Sequence, residues 1–132
     1  MARQQWPLHN GRPVIEIVLT LPSSGASLAR MLLADTGAGS RQSGFELILD
    51  EQECILAGGS TCQPVALGGA YAGTFPVYLL RVQLPALAFD HLVRAVGVSQ
   101  PPAGTHGIAG FRFLNRFTYG NLGDPDHFSL EY

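Results

Sequence analysis

Asp35 is the residue of this 132-residue chain whose setting points most directly to chemistry. An apolar run, Leu32-Leu33-Ala34, delivers its carboxylate to a tight turn of small residues, Thr36-Gly37-Ala38-Gly39-Ser40. A carboxylate fixed in this way can take a proton from water, provided that a second group donates one to the oxygen developing charge. Two carboxylates about 3 Å apart meet both needs with one shared proton, because like charges that close cannot both ionise. Asp-Thr-Gly occurs once, so such a pair requires a second copy of the chain. Asp also favours turns without any chemistry, and a plain turn aspartate is the other reading of these residues.

The remaining reactive side chains form no constellation. Cys54 and Cys62 lack a Cys-x-x-Cys spacing, and His9, His91, His106 and His127 are scattered, so neither a metal nor a cofactor is expected. The two cysteines read as free thiols in a reducing compartment, with a small-loop disulfide between them as the alternative, and Cys54 as a buried thiol on the apolar side of a short helix. The histidines read as surface or loop residues.

The elements that must position Asp35 are short. Hydrophobic residues make up 46% of the chain and charged ones 14%, with 16 Gly and 9 Pro, which favours a single domain over 1–132 built from strands and turns. A net charge of −2 with no concentrated basic surface argues against nucleic acid as a partner. No stretch has the length of a transmembrane helix or the form of a signal peptide, so no membrane association and a cytoplasmic location are expected.

Pro13 to Leu21 is a strand by its β-branched content, Pro22-Ser23-Ser24-Gly25 a turn, and Leu28 to Ala34 the second arm of a hairpin ending at Asp35. Phe45 to Leu49 reads as a strand. Asp50 and Glu53 form a capping box for a brief helix from Glu51 to about Ala57, stopped by Gly58-Gly59. Val65 to Leu67 and Phe75 to Leu84 are strands flanking a flexible tip, 68–73, and Pro76 requires an edge or a bulge. Leu92 to Val98 is a further strand and 99–104 a loop. Ile108-Ala109-Gly110 precedes a short helix over Phe111 to Phe117, with Phe111, Leu114 and either Phe113 or Phe117 on one face. Phe128 to Tyr132 alternates as a half-buried strand, and Asp124-Pro125-Asp126 is a turn.

In this order the pieces resemble the retropepsin-like aspartic peptidases, the single-domain, homodimeric relatives of the pepsin-like enzymes. The features that carry the likeness run from Arg12 to Tyr132. They are the early hairpin, Leu33-Ala34-Asp35-Thr36-Gly37-Ala38, the glycine-rich tip between strands, Gly107-Ile108-Ala109-Gly110 with Phe113-Leu114-Asn115-Arg116-Phe117 behind it, and the closing strand.

The resemblance implies an all-β, closed barrel of the pepsin-half type with one short C-terminal helix and room for a second. It implies a peptide or protein substrate and an endopeptidase mechanism through the paired Asp35 carboxylates, with no metal, nucleotide or covalent intermediate. It further implies that Thr36 braces the partner copy, Gly37 lets backbone approach substrate and Ala38 lines the pocket floor. Leu67 and Phe75 to Val77 are pocket or flap walls by the same likeness, and Tyr71 is a flap-tip residue or an ordinary loop aromatic. Viral members carry an Asp and an Arg where this chain has Gly39 and Phe111, which leaves a peptide-binding or dimerisation domain without catalysis as the alternative. Whether segments 1–11 and 128–132 interleave between copies is open from sequence.

Overall fold

Residues 2–132 are described by the computed structural model, and strands dominate them, as the β-branched runs between turn signals require. In chain order the elements are β1 (Arg3–Pro7), β2 (Val14–Thr20), β3 (Ser27–Ala34), β4 (Leu47–Asp50), α1 (Glu51–Leu56), β5 (Ser60–Leu67), β6 (Gly73–Leu84), β7 (Phe89–Val98), β8 (Gly107–Ala109), α2 (Phe111–Leu114), β9 (Thr118–Gly120) and β10 (His127–Glu131). Single 3-10 turns lie at Gly69–Tyr71 and Pro85–Leu87.

Six strands close a barrel in the order β2-β3-β8-β4-β7-β6, and β6 returns to β2 through Val82 and Gln83. The β3–β8 and β4–β7 pairings are parallel and the others antiparallel. β5 pairs with the first part of β6, beyond the reach of β2. Closure satisfies strand edges that would otherwise face solvent.

The barrel is filled by Ile15, Ile17, Leu19, Leu32, Leu47, Leu49, Leu80 and their neighbours. A second apolar cluster, Leu33, Phe45, Ile48, Val77, Val96, Val98 and Ile108, covers the outer face beneath the β5–β6 hairpin. Burial on both faces is why Leu32-Leu33-Ala34 and Leu47-Ile48-Leu49 read as unbroken apolar runs rather than alternating ones.

β1, β10 and β9 form a separate three-stranded antiparallel sheet, with Trp6 opposite Phe128 and Leu130 opposite Tyr119. The two terminal segments, whose pairing the sequence leaves open, therefore pair with each other within one chain. β1 and β9 are too polar and too short to announce themselves in sequence.

Several boundaries differ from expectation for local reasons. α2 stops at Leu114, and the chain turns through Phe117, whose N–H donates to the Leu114 carbonyl at 3.0 Å. Its buried face is Phe113, Leu114 and Phe117, while Phe111 is only half-buried. β5 begins five residues earlier than expected, at Ser60 rather than Val65, and absorbs Pro64 through a register shift between Cys62 and Val65. Pro76 lies on β6 opposite that irregularity, where no ladder donor is needed.

Asp50 caps α1 as expected, accepting the Gln52 N–H at 2.8 Å. Glu53 does not complete a capping box, because its carboxylate accepts from Arg30 Nε on β3 at 2.9 Å instead. The helix ends where Gly58 and Gly59 donate back to the Ile55 and Cys54 carbonyls. No described helix is long and apolar enough to cross a membrane.

Candidate active site

Leu33 and Ala34 on β3 lie in parallel register with Ile108 and Ala109 on β8, so the two apolar runs stop side by side. The next residues, Asp35 and Gly110, then leave the sheet together. Asp35 N–H donates to the Ala109 carbonyl at 3.0 Å, which fixes the first residue of the turn to the end of the neighbouring strand. Ala38 N–H donates to the Asp35 carbonyl at 3.1 Å and closes the turn. Gly37 N–H donates to Asp35 Oδ1 at 2.9 Å, an Asx-type contact that orients the carboxylate and leaves Oδ2 without a partner among the described residues.

A second layer holds this turn from below. Phe111 N–H donates to the Ala38 carbonyl at 2.9 Å and Gly110 N–H to the Glu46 carbonyl at 2.9 Å. A β-carbon on Gly110 would stand 2.7 Å from the Ala38 oxygen and 3.1 Å from the Glu46 oxygen, so the position requires glycine.

Gly39 is equally constrained. Its φ is +81°, and a β-carbon there would meet Ser43 Oγ at 2.7 Å and Phe45 at 3.1 Å. The left-handed backbone together with these contacts suits the position to glycine. Arg112 is the first cation of α2, and its guanidinium donates to the Ser43 carbonyl.

Above the turn, the β5–β6 hairpin roofs a cleft of about 560 Å³. Asp35, Gly37 and Ala38 line one side of it, Leu67 and Tyr71 the other, with Phe45, Ile48 and Ile108 as its apolar wall. Asp35 is the only carboxylate on this lining. Tyr71 sits in the 3-10 turn at the hairpin tip, half-buried, and burial pushes its phenol up, so it remains a neutral donor across the ordinary pH range.

The cleft thus gathers Asp35, Gly37, Ala38 and Tyr71. Thr36 is exposed at the turn and does not line it. Of the expected walls, Leu67 faces the cleft. Phe75 lines a smaller neighbouring cavity of about 260 Å³ with Tyr71, Val98 and Ser99, and Val77 is fully buried in the outer apolar cluster.

Glu46 and Arg116 are the participants that sequence reasoning missed. Glu46 is buried beside β4, and Arg116 binds its carboxylate through two bonds, Nε to Oε2 at 2.6 Å and Nη2 to Oε1 at 3.1 Å. Glu46 in turn raises the Arg116 guanidinium above its ordinary range. A signal was available: a lone acid inside the apolar run Phe45 to Leu49 must find a cation, and α2 is followed by one.

Three of the four histidines meet separate partners. His106 Nδ1 accepts the Met31 N–H at 2.9 Å, His91 meets the Tyr132 hydroxyl at 3.0 Å, and His127 stands 2.9 Å from Asp124. Among the described residues, no three His, Cys, Asp or Glu side chains converge on a point that could hold a metal ion. Cys54 is buried in α1 and Cys62 half-buried on β5, and both are free. No protein-family model, no curated protein and no solved structure matches this chain.

Proposed function

We propose that the chain is a homodimeric aspartic endopeptidase whose two Asp35 carboxylates, one per copy, share a proton around the attacking water. What supports this reading above all is the side-by-side ending of Leu33-Ala34-Asp35 and Ile108-Ala109-Gly110 at the edge of the roofed cleft.

The chemistry follows from that geometry. The ionised carboxylate takes a proton from water as the water oxygen bonds to the scissile carbonyl carbon. The protonated carboxylate gives its proton to the carbonyl oxygen, forming a neutral gem-diol. Collapse of the gem-diol breaks the C–N bond as the protonated carboxyl gives its proton to the leaving nitrogen and the ionised one takes a hydroxyl proton, which restores the single shared proton. The Gly37 N–H bond to Oδ1 keeps each carboxylate oriented while Oδ2 handles the proton. The two titrations belong to the pair rather than to either Asp35. A peptide entering as an extended strand would run between the turn and the hairpin, with its side chains against Phe45, Ile48, Leu67 and Ile108.

One observation favours a second reading, a peptide-binding or dimerisation domain without catalysis. Gly39 and Phe111 stand where the viral enzymes carry an Asp and an Arg, so the loop lacks that charged pair.

Digestion of a diverse peptide library by wild type and Asp35→Asn, read by mass spectrometry from about pH 4 to 7, separates the two. Cuts made by wild type alone support the peptidase. A dimer that retains peptides uncut supports the binding module.

A further inference from the structure

We infer that Glu46 and Arg116 form a clamp that positions the Asp35 turn, acting through backbone hydrogen bonds rather than by touching substrate. For its effect on rate this rests on the peptidase reading; for its geometry it does not.

The connection can be followed atom by atom. Arg116 follows α2, and its guanidinium grips both carboxylate oxygens of Glu46, at 2.6 and 3.1 Å. The Glu46 backbone is engaged on both sides, its N–H donating to the Arg94 carbonyl at 2.8 Å and its carbonyl accepting from Gly110 at 2.9 Å. The residue after Gly110 holds the Ala38 carbonyl, and Ala38 holds that of Asp35. Pulling α2 towards Glu46 therefore pulls the Gly110-Phe111 peptide against the Asp35 turn.

Four further features fit a device rather than a chance surface pair. The Glu46 side chain is 5% exposed, so it is a charge removed from water that needs this partner. The bond is bidentate, which fixes orientation as well as distance. Arg112, on α2 itself, grips the Ser43 carbonyl, so two arginines hold the segment that follows the turn. Arg116 also lies over the Phe89 ring, 5.8 Å from its centroid, which limits where the guanidinium can go.

The test combines amide hydrogen exchange with peptide hydrolysis on the full chain, for wild type, Glu46→Gln and Arg116→Lys. Glu46→Gln removes the charge and keeps the shape. Arg116→Lys keeps the charge and loses the fork, and it serves if the first variant fails to fold.

We expect exchange at Gly110, Phe111 and Ala38 to quicken about tenfold or more, with Leu80 and Val93 in the barrel unchanged. We also expect kcat to fall by about tenfold or more with KM nearly constant, because the carboxylates are misplaced while the cleft is intact. Unchanged exchange at these three amides overturns the clamp. So does faster exchange with undiminished kcat, or a loss confined to KM. Faster exchange in a protein whose wild type cleaves nothing upholds the clamp and removes the peptidase reading instead.

Discussion

Phe111 and Ala38 are tied backbone to backbone, the Phe111 N–H donating to the Ala38 carbonyl at 2.9 Å, and Gly110 is the hinge that brings them that close. The smallest possible side chain at position 110 would enter the space of two carbonyl oxygens, those of Ala38 and Glu46. Gly110→Ala is therefore expected to destabilise the fold by about 1–3 kcal/mol, the usual range for overpacking, and to cut hydrolysis more than stability alone explains. Urea unfolding gives the first quantity. Activity measured where the variant is fully folded gives the second, and an unaltered rate there would separate the turn from the chemistry.

The proposed sharing of one proton between two copies has a consequence for mixtures. Asp35→Asn supplies a partner with the same shape and no ionisable carboxylate, so a mixed dimer lacks one half of the acid–base pair. Adding the variant in excess to wild type should suppress hydrolysis once protomers exchange, even though total fold and dimer content stay constant. Activity that only dilutes in proportion would mean that each chain works alone.

The strands that carry the site are legible in sequence because burial on both faces turns them into continuous apolar runs. Leu32 to Ala34 and Leu47 to Leu49 announce themselves in this way, and Asp35 follows from the first, whereas β8 is too short to be read as a strand. The cap at Asp50 and the stop at Gly58-Gly59 are legible because they depend on neighbours in sequence.

What is hidden depends on partners far along the chain. Gln4 and Gln5 sit in a strand only because Leu130 and Ser129 are opposite them. Glu53 abandons a local cap because Arg30 is near. Gly39 looks like turn punctuation, and only the packing of Ser43 and Phe45 shows that the position admits nothing larger.

The internal terminal sheet gives a prediction about stability. Trp6 is half-buried opposite Phe128, and β1 covers one edge of β10. Deleting residues 1–7 should lower Tm by an amount that is the same across about a hundredfold range of protein concentration, because the lost contacts lie within one chain. A shift that shrinks as concentration rises would show that the segment also joins copies.

Tyr71 tests the roof of the cleft. Its ring stands between the main cleft and the smaller cavity lined by Phe75, Val98 and Ser99. Tyr71→Ala should raise KM several-fold while kcat changes less, as expected for a wall that holds substrate without handling protons. Tyr71→Phe keeps the wall and removes the donor. If the phenyl variant matches wild type, packing is the contribution; if it behaves like Ala, the hydroxyl holds substrate.

The two cysteines should differ sharply in reactivity, and the difference carries a sign for stability. Cys54 is buried in α1 beside Glu53, Asp50 and Glu51, and burial first, then these carboxylates, push its thiol up to about 12 from an ordinary value of 9.0. The thiolate is the reactive form, so Cys54 should resist iodoacetamide in the folded protein while the half-buried Cys62 is alkylated first. Above pH 9 the unfolded chain releases the Cys54 proton and the folded chain keeps it. The folded state then binds more protons, and stability falls as pH rises from 9 towards 12. Cys54→Ala abolishes that proton linkage at the cost of a small cavity, so its stability should decline less steeply over the same range. Parallel decline in wild type and variant would assign the alkaline loss to other groups.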